Sequence, residues 1–301
     1  MKIEEIGFIL TNRDECLAKR FRALFALRNA KGKQAIDYIT QTLREDSSAL
    51  LKHECCFCLG QMQDEYAIEC LIRVLEDKRE HPMVRHEAGE ALGAIATEEC
   101  LRVLRKYCDD ECVEVAQTCQ LAVKRIHSLR EGEHFMQSVY NSVDPTPTAP
   151  ETDIDALRQT LFAKESCLYD KYRTMFALRN LATEEAIKSL GEALVFYQDD
   201  QNNALLKHEI AYVLGQIQSP HSVSYLQKVL SDFNENEMVR HECAEALGSV
   251  ASDESQQILN NFKNDEVTVV RESIEVALDM DEYEKSADQF LFLNSSQEAR
   301  C

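Results

Sequence analysis

Four histidines in this chain are each followed by glutamate: His53-Glu54, His86-Glu87, His208-Glu209 and His241-Glu242. A single His-Glu pair is ordinarily a helix-surface contact. Here the spacing says otherwise, because His53 and His86 are 33 residues apart, and so are His208 and His241. The remaining histidines, His81, His127, His134 and His221, do not recur. At equivalent positions of successive helical repeats, side chains become spatial neighbours, on helix axes roughly 8–10 Å apart. His53 and His86 are then expected to converge on one point, and His208 and His241 on another. Imidazole with carboxylate from neighbouring helices is a donor set for a borderline metal, and two His with one carboxylate suits non-haem iron. With no recurrent Cys pair, iron or manganese is favoured over structural zinc. Two duplicated sites brought face to face would form a dinuclear centre, whose ions are typically about 3.5–4 Å apart.

Adjacent helical residues point about 100° apart, so a His and its Glu need not touch the same ion. Glu90 and Glu245 lie four residues after His86 and His241, one turn on along the same face. They are candidates for bracing the histidines or for receiving a cationic substrate, against the plainer reading of ordinary solvated glutamates. Cys55 and Cys58 form a C-x-x-C, but their counterparts are Ile210 and Val213. Cysteines replaced by apolar residues in the sister copy read as small buried hydrophobes.

The elements that position these residues come from a duplication. Arg22-Ala-Leu-Phe-Ala-Leu-Arg-Asn29 returns as Arg173-Thr-Met-Phe-Ala-Leu-Arg-Asn180, and Leu50-Leu-Lys-His-Glu54 as Leu205-Leu-Lys-His-Glu209. The offset changes from 151 to 155 around the polar stretch Gln198-Asp-Asp-Gln-Asn-Asn203. Within each half a unit of about 31–33 residues repeats, with two amphipathic helices per unit. Four Leu-Gly steps, at Gly60, Gly93, Gly215 and Gly248, read as helix C-termini where glycine takes positive φ. The fold expected is all-α, an α-solenoid of eight helical-hairpin repeats in two pseudo-symmetric halves. The halves span 1–130 and 154–280. Between them, 131–153 holds three of the five prolines and is expected to be an extended, exposed linker. Residues 281–301 read as a flexible tail.

Composition narrows the function classes. There are 33 Lys and Arg against 53 Asp and Glu, a net charge of −20, which argues against nucleic acid as a ligand. It suits a basic partner, or simply solubility. No apolar run is long enough for a bilayer, and the acidic start, with Glu4 and Glu5, does not read as a signal peptide. A cytoplasmic protein without a membrane partner is expected.

With its HEAT-like repeats and all four His-Glu pairs in place, the chain resembles the deoxyhypusine hydroxylases. The resemblance implies a di-iron, O2-dependent monooxygenase acting on a deoxyhypusine side chain of a translation initiation factor. It places His53, His86 and Glu87 on one iron, and His208, His241 and Glu242 on the other. Glu54 and Glu209 would then lie beside the metals, holding the amines of the substrate. Two readings from other classes stand against it. A non-catalytic HEAT-type scaffold predicts no metal and leaves the His-Glu recurrence without a reason. A di-metal hydrolase would use the same ligands.

Overall fold

The structure, a computed structural model, describes residues 2–132, 139–197 and 201–285. His134, and the tail from 286 on, lie outside them. Among the described residues there are helices and no strands. Backbone contacts divide the chain into two compact units, Met1–Leu181 with Asn202–Leu206, and Ala182–Gln201 with Lys207–Cys301. The first holds α1 (Ile3–Thr11), α2 (Leu17–Ala30), α3 (Lys33–Glu45), α4 (Ala49–Met62), α5 (Ile68–Glu76), α6 (Pro82–Ile95), α7 (Glu98–Leu104), α8 (Val113–Arg130), α9 (Ile154–Phe162) and α10 (Leu168–Leu181). The second holds α11 (Glu184–Phe196), α12 (Ala204–Ile217) from Lys207 on, α13 (Val223–Leu230), α14 (Glu237–Val250), α15 (Asp253–Asn261) and α16 (Thr268–Lys285).

Taken in order, the sixteen described helices are eight hairpins. In the first unit the second helices of successive hairpins stack in the series α2, α4, α6, α8, and in the second unit α14 stacks on α16. In this layer α4, α6 and α14 carry three of the His-Glu pairs, and α12 carries the fourth, His208-Glu209. Outer helices such as α5 bury one stripe, Ile68, Leu71, Val74 and Leu75, and leave Glu69 and Arg73 outside. The inner helix α6 is buried nearly all round, as from Met83 to Glu87. No helix is long and apolar enough to cross a membrane among the described residues.

The glycines of the Leu-Gly steps do not end their helices. Gly60, Gly93, Gly215 and Gly248 are interior, and the left-handed cap falls three residues later, at Gln63, Ala96, Gln218 and Ala251. Their role is close approach. A Cβ on Gly248 would meet Ala277 Cα, Cβ and O, each at 2.7 Å, and one on Gly60 would meet Ala91 Cα at 2.8 Å. Gly89 differs, since its nearest contact would be Cys119 Sγ at 3.4 Å. Overpacking a fixed backbone typically costs about 1–3 kcal/mol, whereas relieving a helix-interior glycine gains about 0.5–1 kcal/mol. Gly248→Ala is therefore expected to lower the urea unfolding midpoint, and Gly89→Ala to hold or raise it. Equal midpoints for the two variants would refute this account of the stacking.

The segment between the halves also departs from expectation. Instead of an exposed linker, Pro145, Thr146 and Pro147 are buried. Proline leaves few backbone donors, and long side chains from the helices satisfy what remains. Arg125 donates from Nε to the Asp144 carbonyl at 3.1 Å. The Gln61 amide oxygen accepts from Val143 N at 2.8 Å. Arg179 grips both Asp144 carboxylate oxygens, at 2.9 and 2.7 Å. At the other end, the helix α16 continues through Asp281, which is buried and accepts from Gln256 at 3.0 Å.

Candidate metal centre

The basic residue before each histidine anchors its helix. Arg85 donates from Nε to the Leu75 carbonyl and pairs with both oxygens of Asp110, at 3.1 and 2.7 Å. Arg240 repeats this on Leu230 and Asp265, at 3.2 and 2.6 Å to the carboxylate. Lys207 pairs with Glu235 at 2.7 Å, and Lys52 pairs with Glu80. Charges this deep are held only by partners, and removing one partner is strongly destabilising. The next residue along, the histidine, is thereby fixed on the inner face. Helix starts sharpen the placement: Ser48 caps α4, accepting from Leu51 N at 3.0 Å, and Asn236 caps α14, accepting from Met238 N at 2.9 Å. His81, one of the unpaired-in-sequence histidines, is the matching cap of α6, its Nδ1 accepting from Met83 N at 3.3 Å.

In the first unit, α4 brings His53 and Glu54 and α6 brings His86, Glu87 and Glu90. The four residues of the two pairs are buried, His86 completely. The His53 and His86 ring centres are 5.5 Å apart. His53 Nδ1 lies 3.1 Å from Glu54 Oε1, and its Nε2 lies 3.4 Å from Glu87 Oε2. Donor atoms of His86, Glu87 and Glu90 all come within 4.8 Å of one another.

The second unit repeats the arrangement. His208 and His241 have ring centres 5.3 Å apart, and His208 Nε2 lies 3.3 Å from Glu242 Oε2. Donor atoms of His208, His241 and Glu242 fall within 4.8 Å of one another. Glu209 is buried on α12 beside His208. Glu245 lies 3.6 Å from His241 Nδ1 and accepts from the Ser273 hydroxyl of α16 at 3.1 Å. Sequence reading missed Ser273, although Thr118 stands at its position in the first half and was a usable signal.

The donors suit a metal ion. Ligand atoms about 2 Å from one ion stand roughly 3–4 Å apart, and the donor atoms of each group here lie within 4.8 Å of one another. The electrostatics agree. Burial pushes the His53 ring toward its neutral form, but hydrogen bonds to Glu54 and Glu87, and their charges, hold it well above its ordinary value. Glu90, partly buried, is pushed up to about 8, by burial first and by the Glu87 charge next, with His53 opposing. Such a site is short of positive charge, and binding a cation would release the proton that His53 holds in its place.

The other candidates fall elsewhere. His127 is near the surface beside Arg105, and His221 is on the surface beside Glu184. Cys55 and Cys58 are fully buried in the core, and burial pushes both thiols well above their ordinary range, which disfavours the thiolate a metal needs.

Comparison with known proteins extends this picture. The family described as HEAT repeats matches residues 36–124 and 196–279. A curated zebrafish (Danio rerio) protein named deoxyhypusine hydroxylase is 50% identical over 98% of this chain and 98% of its own length. The chicken (Gallus gallus) protein of that name is 53% identical over 94% of this chain and 93% of its own. The solved structure of human deoxyhypusine hydroxylase in complex with glycerol superposes with a TM-score of 0.88, at 48% identity, covering 93% of this chain and 96% of that one.

Proposed function

We infer the reaction from a family relationship: the chain belongs to the deoxyhypusine hydroxylases. It is a monooxygenase that converts a deoxyhypusine side chain to hypusine. We assign it two iron ions per chain, one to each half, with the deoxyhypusine form of a translation initiation factor as its protein substrate. The observation that carries the assignment is the repetition of one buried His–Glu constellation in both units.

Bound iron supplies the oxygen activation that side chains lack, which an unactivated C–H bond requires. One oxygen atom enters the C–H bond and the other leaves as water, with two electrons and two protons from an external reductant.

The protein's own residues hold and orient. His53, His86 and Glu87 hold one ion, and His208, His241 and Glu242 the other. Glu54 accepts from His53 Nδ1–H, which fixes the ring tautomer and leaves Nε2 as the ligating nitrogen, on the side of Glu87. Glu54 and Glu209 also face the amines of the substrate arm. Glu90 and Glu245 extend the acidic wall by one turn, and Glu245, held by Ser273, braces His241. A chain of net charge −20 attracts the polyamine-like arm of the substrate.

Purified protein, iron-loaded and supplied with a reductant, is expected to make the deoxyhypusine form of the factor one oxygen atom heavier in air and not under argon. Metal analysis of the same sample should give two irons per chain. Hydroxylation that persists after chelation and dialysis, or an oxygen-independent product, would remove the reading.

A further inference from the structure

Helices α2 and α10 carry the same motif in two states. Phe25-Ala-Leu-Arg28-Asn29 recurs as Phe176-Ala-Leu-Arg179-Asn180. In both copies the guanidinium lies against the Phe ring, at 4.9 Å for Arg28 and 4.6 Å for Arg179. In both, Nε and Nη2 donate to the side-chain oxygen of the next Asn, at 3.3 and 3.2 Å in one copy and 3.1 Å for both bonds in the other. Ring and amide together set the plane of the fork.

What the fork receives is visible at Arg179. Its Nη1 and Nη2 take the two oxygens of Asp144, at 2.9 and 2.7 Å, and Tyr140, four residues earlier, adds a second ring 5.1 Å away. Arg179 is completely buried under that segment. At Arg28 the receptor is built in the same way, yet among the described residues no carboxylate pairs with it and Phe25 is the only ring against it. Arg28 is partly exposed. An Arg already held by ring and amide loses less rotamer freedom on binding, so this copy is preorganised for a carboxylate.

Its location gives it a purpose. Helix α2 packs against α4, which carries His53 and Glu54. The Arg28 charge reaches Cys58, one turn after Glu54: burial pushes that thiol up, and Arg28 acts in the opposite direction. On a chain of net charge −20, a fixed cation beside the catalytic helix selects where an acidic group can settle.

We propose that Arg28, with Phe25 and Asn29, docks an acidic side chain of the protein substrate, with an aromatic neighbour in that substrate taking the place Tyr140 has at Arg179. This rests on the reading that a protein side chain is what the enzyme hydroxylates. The test compares Arg28→Ala with wild type on two substrates, the full deoxyhypusine-form factor and a short peptide around its deoxyhypusine. For the factor, KM should rise about tenfold, the scale of one hydrogen bond to a charged group at a partly exposed Arg. For the peptide, KM should stay as it was, as should kcat and iron content. Arg28→Lys keeps the charge without the fork and should fall between. A synthetic peptide of residues 139–149 should compete with the factor on wild type and not on Arg28→Ala. An equal KM change on both substrates, or none on either, overturns the proposal. A fall in KM would overturn it too, showing that a segment of the chain itself covers the receptor. If wild type hydroxylates neither substrate, it is the functional reading that fails, and the two failures are distinct.

Discussion

His241→Ala is expected to leave one iron per chain in place of two and to abolish hydroxylation. His241 is fully buried, its ring 5.3 Å from that of His208, and its donor atom converges with those of His208 and Glu242. No second imidazole stands beside it on α14, and the adjacent Arg240 is committed to Asp265, so neither can replace the lost nitrogen donor. Changing a residue that merely supports a ligand typically costs about 10–100-fold in metal affinity, so loss of the ligand itself should exceed that. His86→Ala should do the same in the other half, which is the more direct check on duplication. His127→Ala and His221→Ala remove histidines at or near the surface and should keep both irons. Iron per chain, measured beside the thermal unfolding midpoint, separates metal loss from unfolding. If the buried and the outlying histidines lose iron alike, the site is wrongly placed.

How much of this was legible in the sequence depended on what repeats. His53, His86, His208 and His241 stood out because a residue required at equivalent positions of a stacked layer leaves a period, and the period also gives its neighbours. The basic residue before each histidine was legible as a pattern but not as a buried anchor, since Asp110 and Asp265 lie 25 residues further on and carry no local mark. The Leu-Gly steps were misread because a glycine near a helix end suits two demands, positive φ and close approach. Only the facing residue, Ala277 for Gly248, decides between them. The proline-rich segment was misread for a related reason. Proline excludes helix, but exposure is set by partners such as Arg125 and Arg179 that are remote in sequence. Asp144, the partner of Arg179, has no counterpart at the repeat offset and so leaves no periodic trace.

The carboxylates divide by which ring nitrogen they face, and this gives the last expected result. Glu87 reaches across from α6 to Nε2 of His53, and Glu242 reaches across from α14 to Nε2 of His208. Glu54 instead takes Nδ1 of its own neighbour. A neutral imidazole ligates through one nitrogen and donates through the other. With Nδ1–H given to Glu54, the proposed ion would lie on the Nε2 side, where Glu87 would supply the negative charge. Glu87→Gln and Glu242→Gln are therefore expected to lower iron content, each in its own half. Glu54→Gln and Glu209→Gln should retain both irons when iron is saturating, with at most the loss typical of a supporting residue, about 10–100-fold in affinity. Their larger effect should be on the substrate arm. Removing one partner of a desolvated ion pair costs about 2–5 kcal/mol, or roughly thirty- to several-thousand-fold in binding. Iron per chain and substrate affinity measured on all four variants decide the matter. If Glu54→Gln empties its half and Glu87→Gln does not, the ion sits on the Nδ1 side and the roles of the two glutamates are exchanged.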